Sequence, residues 1–250
     1  MYYYAVSDKG SVKDVNQDSI LIKKWKSEDE TTCIFGCICD GMGGLSCGER
    51  ASYTAARMYL AWFVDNIPNI YQDMNKIKVS FAEISQEINH KIFSFGKENG
   101  IRLGTTVSGI LIIGDQYLTF NVGDSRVYRS FEKQFVQITR DNSFVQDEID
   151  AGRMTPEEAE SSGQDHLLTR CLGGYSTLEA VDFTTGQTFD GDKFVFCSDG
   201  ARHVVSSKEY ANLFSHIHSK EDLIEKLPQV IEEIIRRGES DNISIGCIAI

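Results

Sequence analysis

The sequence predicts an α+β fold: two antiparallel β-sheets with pairs of helices packed on their outer faces. Three features of the chain point there. Apolar runs of strand length come in groups, and the groups are separated by pairs of longer patterns with helical spacing. Strict β-α-β alternation is absent, which argues against a doubly wound parallel sheet. The glycine-rich turn in "CDGMGG" has no Gly-Lys-Ser/Thr ending and is not Gly-x-Gly-x-x-Gly, so neither nucleotide-loop pattern is met.

Taken in order, strands are predicted at about 2–7, 19–24 and 33–39. After the glycines a helix is predicted over about 46–65, with Ala51, Ala55, Met58, Tyr59 and Trp62 at helical spacing. A second helix covers about 73–97, with Ile77, Phe81, Ile84, Ile88, Ile92 and Phe95 on one stripe. Strands follow at about 105–113, 116–122, 126–131 and 134–138, the first two joined by the turn-forming pair Gly114-Asp115. Residues 140 to 166 are polar, with short helical pieces. Strands return at about 168–172, 178–184 and 193–198, then helices at about 206–214 and 220–236, and a last strand at about 242–250. No linker, repeat or low-complexity segment interrupts this series.

A chain of 250 residues is one large domain or two small ones, with room for a substantial core. Its 37 acids against 25 bases, a formal net charge of −12, argue against nucleic acid or an anionic membrane as the main partner. No apolar stretch approaches the length of a membrane span, and "MYYYAVSDKG" reads as a strand rather than a secretory signal. The seven cysteines form no Cys-x-x-Cys and sit mostly in apolar runs, the pattern of buried reduced thiols in a cytoplasmic protein. His216 and His218 form a His-x-His pair in a polar segment without a third ligand nearby, and an exposed surface is expected there.

The chemistry lies in a repeated oddity. "CICDGMGG" ends an apolar run on Asp40, which Gly41 follows. One Asp-Gly pair is simply a turn. Yet "KFVFCSDGAR" ends on Asp199, "YLTFNVGDSR" on Asp124, and Asp18 and Asp241 open the strands in "VNQDSILI" and "SDNISI". Five acids at strand mouths, each beside Gly, Asn or Ser, form a carboxylate cluster if the strands share an edge. Such a cluster repels itself unless it surrounds cations. Ligands that are all hard oxygens favour Mg²⁺ or Mn²⁺ over Zn²⁺, and several carboxylates can support two ions bridged by a shared acid. A glycine after Asp40 lets its backbone carbonyl approach a metal closely.

The ordered set "SDKGSVKDVNQDSI", "CDGMGG", "LGTTV", "NVGDSRVYR", "ITRDNSFV", "HLLTRCLGG", "FCSDG" and "SDNISI" resembles the metal-dependent protein phosphatases of type 2C, in their bacterial form, over about residues 5 to 250. The resemblance implies a single domain over residues 1–250: a four-layer α-β-β-α sandwich with a binuclear Mn²⁺ or Mg²⁺ centre at one sheet edge. In that frame Asp40 is the bridging acid, Gly41 gives a backbone carbonyl, and Asp199 and Asp241 complete one metal. Asp18 contacts the second metal, largely through water, and Asp124 shares a weaker third ion with Asp199. The segment 140–166 is a flap beside the site. Phosphorylated proteins are the implied substrates, opposed by a cognate Ser/Thr kinase, and a monomer is expected.

Several positions depart from the pattern. Lys13 stands where an arginine usually holds substrate phosphate, and Gln17 replaces an acid before Asp18. "Asp-His-Ser" becomes Asp141-Asn142-Ser143, and Met42 stands where animal enzymes carry a histidine proposed as general acid. Lysine offers a point charge rather than a bidentate fork. The implied reaction is hydrolysis of phosphoserine and phosphothreonine esters by in-line attack of a hydroxide bridging two metals, with Asp40, Asp18 and Lys13 in the catalytic set. No Cys-x5-Arg setting exists for a thiolate nucleophile. Two other readings stand beside this one. Gln17 and Lys13 fit a weak pseudophosphatase that binds partners, and a metal site indifferent to the phosphate carrier fits a small-molecule phosphoesterase.

Overall fold

The computed structural model describes residues 1–43 and 47–250; Gly44, Leu45 and Ser46, which include the end of the glycine turn and the first residue of the helix expected from 46, lie outside the described residues. The chain runs β1 (Tyr2–Asp8), β2 (Asp18–Lys26), β3 (Thr32–Gly43), α1 (Gly48–Ile70), α2 (Met74–Asn99), β4 (Leu103–Thr105) and β5 (Val107–Ile113). It continues with β6 (Gln116–Val122), β7 (Arg126–Phe131), β8 (Gln134–Gln137), α3 (Phe144–Asp150), α4 (Pro156–Ser162), β9 (Asp182–Gln187), β10 (Lys193–Cys197), α5 (Ser207–Ser215), α6 (Lys220–Arg236) and β11 (Ile243–Ala249).

The strands form two antiparallel sheets, ordered β1-β11-β10-β7-β8 and β2-β3-β5-β6-β9, with β4 paired to β3. Side chains along β3 alternate between two apolar clusters. Cys33, Phe35, Cys37 and Cys39 face α1 and α2, whereas Ile34 and Ile38 join Val127, Phe194, Phe196 and Ile248 between the sheets. A third cluster packs α5 and α6 on the outer face of the other sheet, through residues such as Phe214, Leu227, Ile231 and Ile245. Three apolar interfaces make four layers, the α-β-β-α order expected.

The helices start where polar caps satisfy their first amides. Asp73 accepts from the N–H groups of Asn75 and Lys76, and Ser219 with Asp222 forms a capping box for α6. α2 ends on Gly100 at φ 66°, a left-handed cap suited to glycine. Among the described residues, no helix is long and apolar enough to cross a membrane.

Four expected elements differ. β3 does not stop at 39 but runs through Asp40 to Gly43, because Gly41, Met42 and Gly43 pair with β4. No strand forms at 168–172: only Leu168 and Leu172 make isolated bridges, to Ser143 and Thr105. The strand expected from 178 begins at Asp182. The residues before it are held by a helix side chain instead of a ladder, since the Gln86 amide donates to the Leu178 carbonyl (2.6 Å) and accepts from its N–H (3.2 Å). One strand expected over 105–113 is split at Thr106, whose N–H goes to the Asp40 carbonyl at 2.9 Å.

Candidate active site

All five predicted acids arrive at one end of the two sheets. Asp18 and Asp40 are direct partners in the β2–β3 ladder. The backbone at Asp40 is clamped by a Thr-Thr pair: its N–H donates to Thr106 Oγ1 and its carbonyl accepts from Thr105 Oγ1, each at 2.9 Å. Asp124 sits where the chain passes from β6 in one sheet to β7 in the other. Its neighbour Gly123 is tied to Asn142 by reciprocal bonds of 3.0 and 2.7 Å. Asp199 opens a 3₁₀ turn (Asp199–Ala201) at the end of β10, and Asp241 lies just before β11.

One side chain staples the loops together. Asn242 accepts from the Gln17 N–H at 2.8 Å and donates to the carbonyls of Lys9 (2.9 Å) and Val15 (3.1 Å). The loop carrying Lys13 and Gln17 is thereby fixed against Asp241. Close backbone approach explains two glycines. A Cβ on Gly200 would lie 2.2 Å from the Asn242 carbonyl oxygen, and one on Gly41 would lie 2.2 Å from that of Gly48.

Asp40, Gly41, Asp124, Asp199 and Asp241 line a cleft of about 270 Å³ with Lys13, Gln17, Met42, Thr106, His166 and Leu168. Asp18 does not line it; it is buried behind Asp40, with Oδ2 accepting from Ser198 Oγ at 2.8 Å and Oδ1 lacking any partner among the described residues. A larger hollow of about 1070 Å³ opens alongside, between α3–α4 and the turn leading to α5. Its Asp141 and Glu209 are already paired with Arg126 and Arg237.

The electrostatics of the cleft are those of crowded acids. Burial pushes the Asp18 carboxyl up to about 7, with Asp199 and Asp241 adding to the rise. Burial, then Asp199, pushes Asp124 up to about 7 as well, against the pull of Arg202. Asp40 keeps some exposure to the cleft but is otherwise enclosed by protein. Its carboxyl stands well above the usual range through burial and then the charges of Asp18, Asp199, Asp124 and Asp241.

Among the described residues, no three His, Cys, Asp or Glu side chains already stand as a closed ligand shell. Three of the five acids have a basic side chain close by. Lys13 Nζ is 3.0 Å from Asp241 Oδ1, Arg202 Nη2 is 3.4 Å from Asp124 Oδ2, and His203 Nε2 is 3.7 Å from Asp199 Oδ2. A partnerless buried carboxylate oxygen, mutually raised acids and hard oxygen donors around one cleft all fit divalent cations.

Some residues of the site escape a sequence reading. His166 and Leu168 enter the cleft because Leu168 bridges Ser143 and the Leu167 carbonyl accepts from Phe144 N–H at 2.8 Å. Glu239 is a buried carboxylate that accepts from the N–H groups of Ser240 and Asp241 and faces His203 Nδ1 at 3.1 Å. Its position two before Asp241 is the one local signal. His216 and His218 are exposed, as expected.

Fold and cleft together are those of the metal-dependent phosphatase class. The family model for protein phosphatase 2C matches residues 9–235, and the chain belongs to that family. It is 28% identical over 246 residues to the protein phosphatase PhpP of Streptococcus pneumoniae, covering 98% of this chain and 95% of that one. The serine/threonine phosphatase structure from S. agalactiae superposes with a TM-score of 0.84 over the whole of both chains, at 24% identity, a likeness of fold. The catalytic domain of serine/threonine protein phosphatase PstP, whose crystal structure is a complex with 2 manganese ions, superposes with a TM-score of 0.79 at 28% identity, over 98% of this chain and 96% of that one.

Proposed function

We propose that this chain is a metal-dependent protein-serine/threonine phosphatase, a hydrolase of phosphoserine and phosphothreonine esters. The observation that carries this reading is the convergence of Asp40, Asp124, Asp199 and Asp241 on one cleft beside Lys13. Asp40, Asp199 and Asp241, with the Gly41 carbonyl, would hold two Mn²⁺ or Mg²⁺ ions shared through Asp40, and Asp18 would support the second from behind. The chemistry such a pair supplies when bound is a water nucleophile of lowered pKa and neutralised charge on the phosphoryl group.

The rest falls to the chain itself. Lys13 binds a phosphate oxygen after releasing Asp241; an ion pair this exposed is worth ~0–1 kcal/mol, so the exchange costs little. Thr105 and Thr106 hold the Asp40 backbone and so set the direction of its carboxylate. Met42 lines the cleft without a proton to give. The segment carrying α3 and α4 acts as a flap beside the cleft, and residues 1–250 work as one catalytic domain. The substrates are phosphorylated proteins modified by a cognate Ser/Thr kinase, and the enzyme acts as a monomer. Seven free cysteines, five of them buried, suit a reducing cytoplasm.

An intact set of acids facing Lys13 speaks against a binding module. The experiment is phosphate release from a phosphothreonine peptide and from a small aryl phosphate, with Mn²⁺ and with chelator. Metal-dependent turnover of the peptide supports the reading. Turnover of the aryl phosphate alone would make this a small-molecule phosphoesterase, and peptide turnover indifferent to chelation would remove the metal.

A further inference from the structure

The family frame implies a weaker third cation between Asp124 and Asp199. The surroundings of these two acids do not fit one. Two consecutive basic residues, Arg202 and His203, follow directly on the turn that Asp199 opens. Arg202 Nη2 lies 3.4 Å from Asp124 Oδ2, with the two side chains only 15% and 7% exposed. His203 Nε2 lies 3.7 Å from Asp199 Oδ2, and its Nδ1 is 3.1 Å from Glu239. Asp124 is thus approached by a guanidinium and Asp199 by an imidazole.

Among the described residues, Arg202 has no competing acid. The neighbouring Arg126 takes Asp141 through three hydrogen bonds of 2.7–3.0 Å. Arg202 Nε is buried without an acceptor among the described residues, so Asp124 is the one carboxylate its fork reaches. A divalent ion placed against Asp124 would meet this guanidinium at close range in a site poor in water, where like charges repel strongly. A guanidinium also cannot step aside by losing its proton, as an ammonium can.

We propose that Arg202 takes the place of the third cation: its fixed charge neutralises Asp124, and the enzyme works with two metal ions. Arg202 is a positioning residue, acting through Asp124. The inference rests on the two-metal phosphatase reading. It makes the charge at Asp124 independent of free metal, so activation by Mn²⁺ should show no second, low-affinity phase.

The test is Mn²⁺ counting by equilibrium dialysis and metal analysis, up to millimolar free Mn²⁺, on the full chain. Wild type should bind about two ions, and Asp124→Asn should leave that number unchanged. Arg202→Ala should gain a further weak ion, which the double variant with Asp124→Asn should lose. Arg202→Gln keeps more of the side chain and serves if the alanine variant fails to fold. Three ions in wild type, the third abolished by Asp124→Asn, would overturn the proposal. So would no gain of an ion in either folded Arg202 variant. Failure of the phosphatase reading looks different: no tight Mn²⁺ binding and no metal-dependent phosphate release.

Discussion

Asp18 and Asp40 face each other across the β2–β3 ladder at the same register position. Directly opposed residues project from the same face of a sheet, and like charges there are destabilising. The fold therefore places two acids where metal-free protein gains nothing from them, and the cost is expressed in their raised carboxyls.

The first prediction follows from the direction of that shift. The Asp18 carboxyl titrates near 7 in the folded protein against an ordinary 3.8. Between those values the unfolded chain has released a proton that the folded chain still holds. Stability of metal-free protein thus falls as pH rises through this window and levels off above about 7. Chelated wild type should melt lower at pH 8 than at pH 5.5, and Asp18→Asn should flatten the difference by several degrees, since ~1 kcal/mol is about 2–4 °C for a chain of this size. Mn²⁺ should restore stability to wild type more than to the variant. Equal pH slopes in both proteins, measured by thermal melting in chelator, would remove Asp18 from the cluster.

A second prediction concerns the metal directly. Chelated enzyme should be inactive, and Mn²⁺ or Mg²⁺ should restore turnover better than Zn²⁺, because the donors are carboxylates. Asp40→Asn should nearly abolish turnover and weaken Mn²⁺ binding by calorimetry. Full activity and unchanged metal content in that variant would end the binuclear assignment.

Gly200 supplies the third. A methyl group there would stand 2.2 Å from the Asn242 carbonyl oxygen, a backbone atom with little freedom to retreat. Gly200→Ala should therefore push the Asp199 turn away from the Asp241 loop. Overpacking of this kind costs ~1–3 kcal/mol, so the melting temperature should drop by several degrees. Mn²⁺ affinity should fall as well, while the circular dichroism spectrum stays native. An alanine variant with native metal affinity would show that the two loops move independently.

The acids were legible because each combines two local signals, an apolar run and a turn-forming neighbour. The layers were legible because strand and helix periods differ. What the sequence hid is tertiary. Asp40-Gly41 reads as a strand end, yet β4 adds to the ladder there and carries β3 on to Gly43. Residues 178–181 look like strand, yet Gln86, far away on α2, satisfies the Leu178 backbone. Arg202 looks like an ordinary turn residue until Asp124 is seen opposite it. His166 opens the motif "HLLTRCLGG" at the end of the segment expected beside the site, but no sequence feature marks it as a cleft residue; the bridge of Leu168 to Ser143 brings it in.

The fourth prediction concerns the thiols. Burial pushes Cys33, Cys197 and Cys247 up to about 12 and holds Cys39 well above the usual thiol range, so these stay protonated and unreactive. Cys47 and Cys171 are the two with partial exposure. Iodoacetamide at pH 8 should add at most two groups to native protein by intact mass, with hydrolysis retained. Inactivation that phosphate prevents would place a thiol in the catalytic cleft.

The fifth concerns Lys13. Its ammonium lies 3.0 Å from Asp241 Oδ1 and lines the cleft, with both side chains about 40% exposed. Water screens such a pair, so the lysine is available to a better anion. If Asp241 serves a metal as proposed, substrate phosphate is the expected partner of Lys13. One ammonium supplies charge but not two parallel hydrogen bonds. The contact exists in ground and transition states alike, so Lys13→Ala should mainly raise KM and leave kcat near wild type. A charge-assisted hydrogen bond is worth ~1.5–3 kcal/mol, which is roughly a ten- to hundred-fold change. Lys13→Arg should lower KM if the cleft admits the wider fork, and both effects should shrink as salt is added. The measurement is steady-state kinetics on one phosphopeptide at saturating Mn²⁺. If Lys13→Ala leaves KM and kcat both unchanged, the ammonium does nothing beyond pairing with Asp241, and another group in the cleft holds the phosphate.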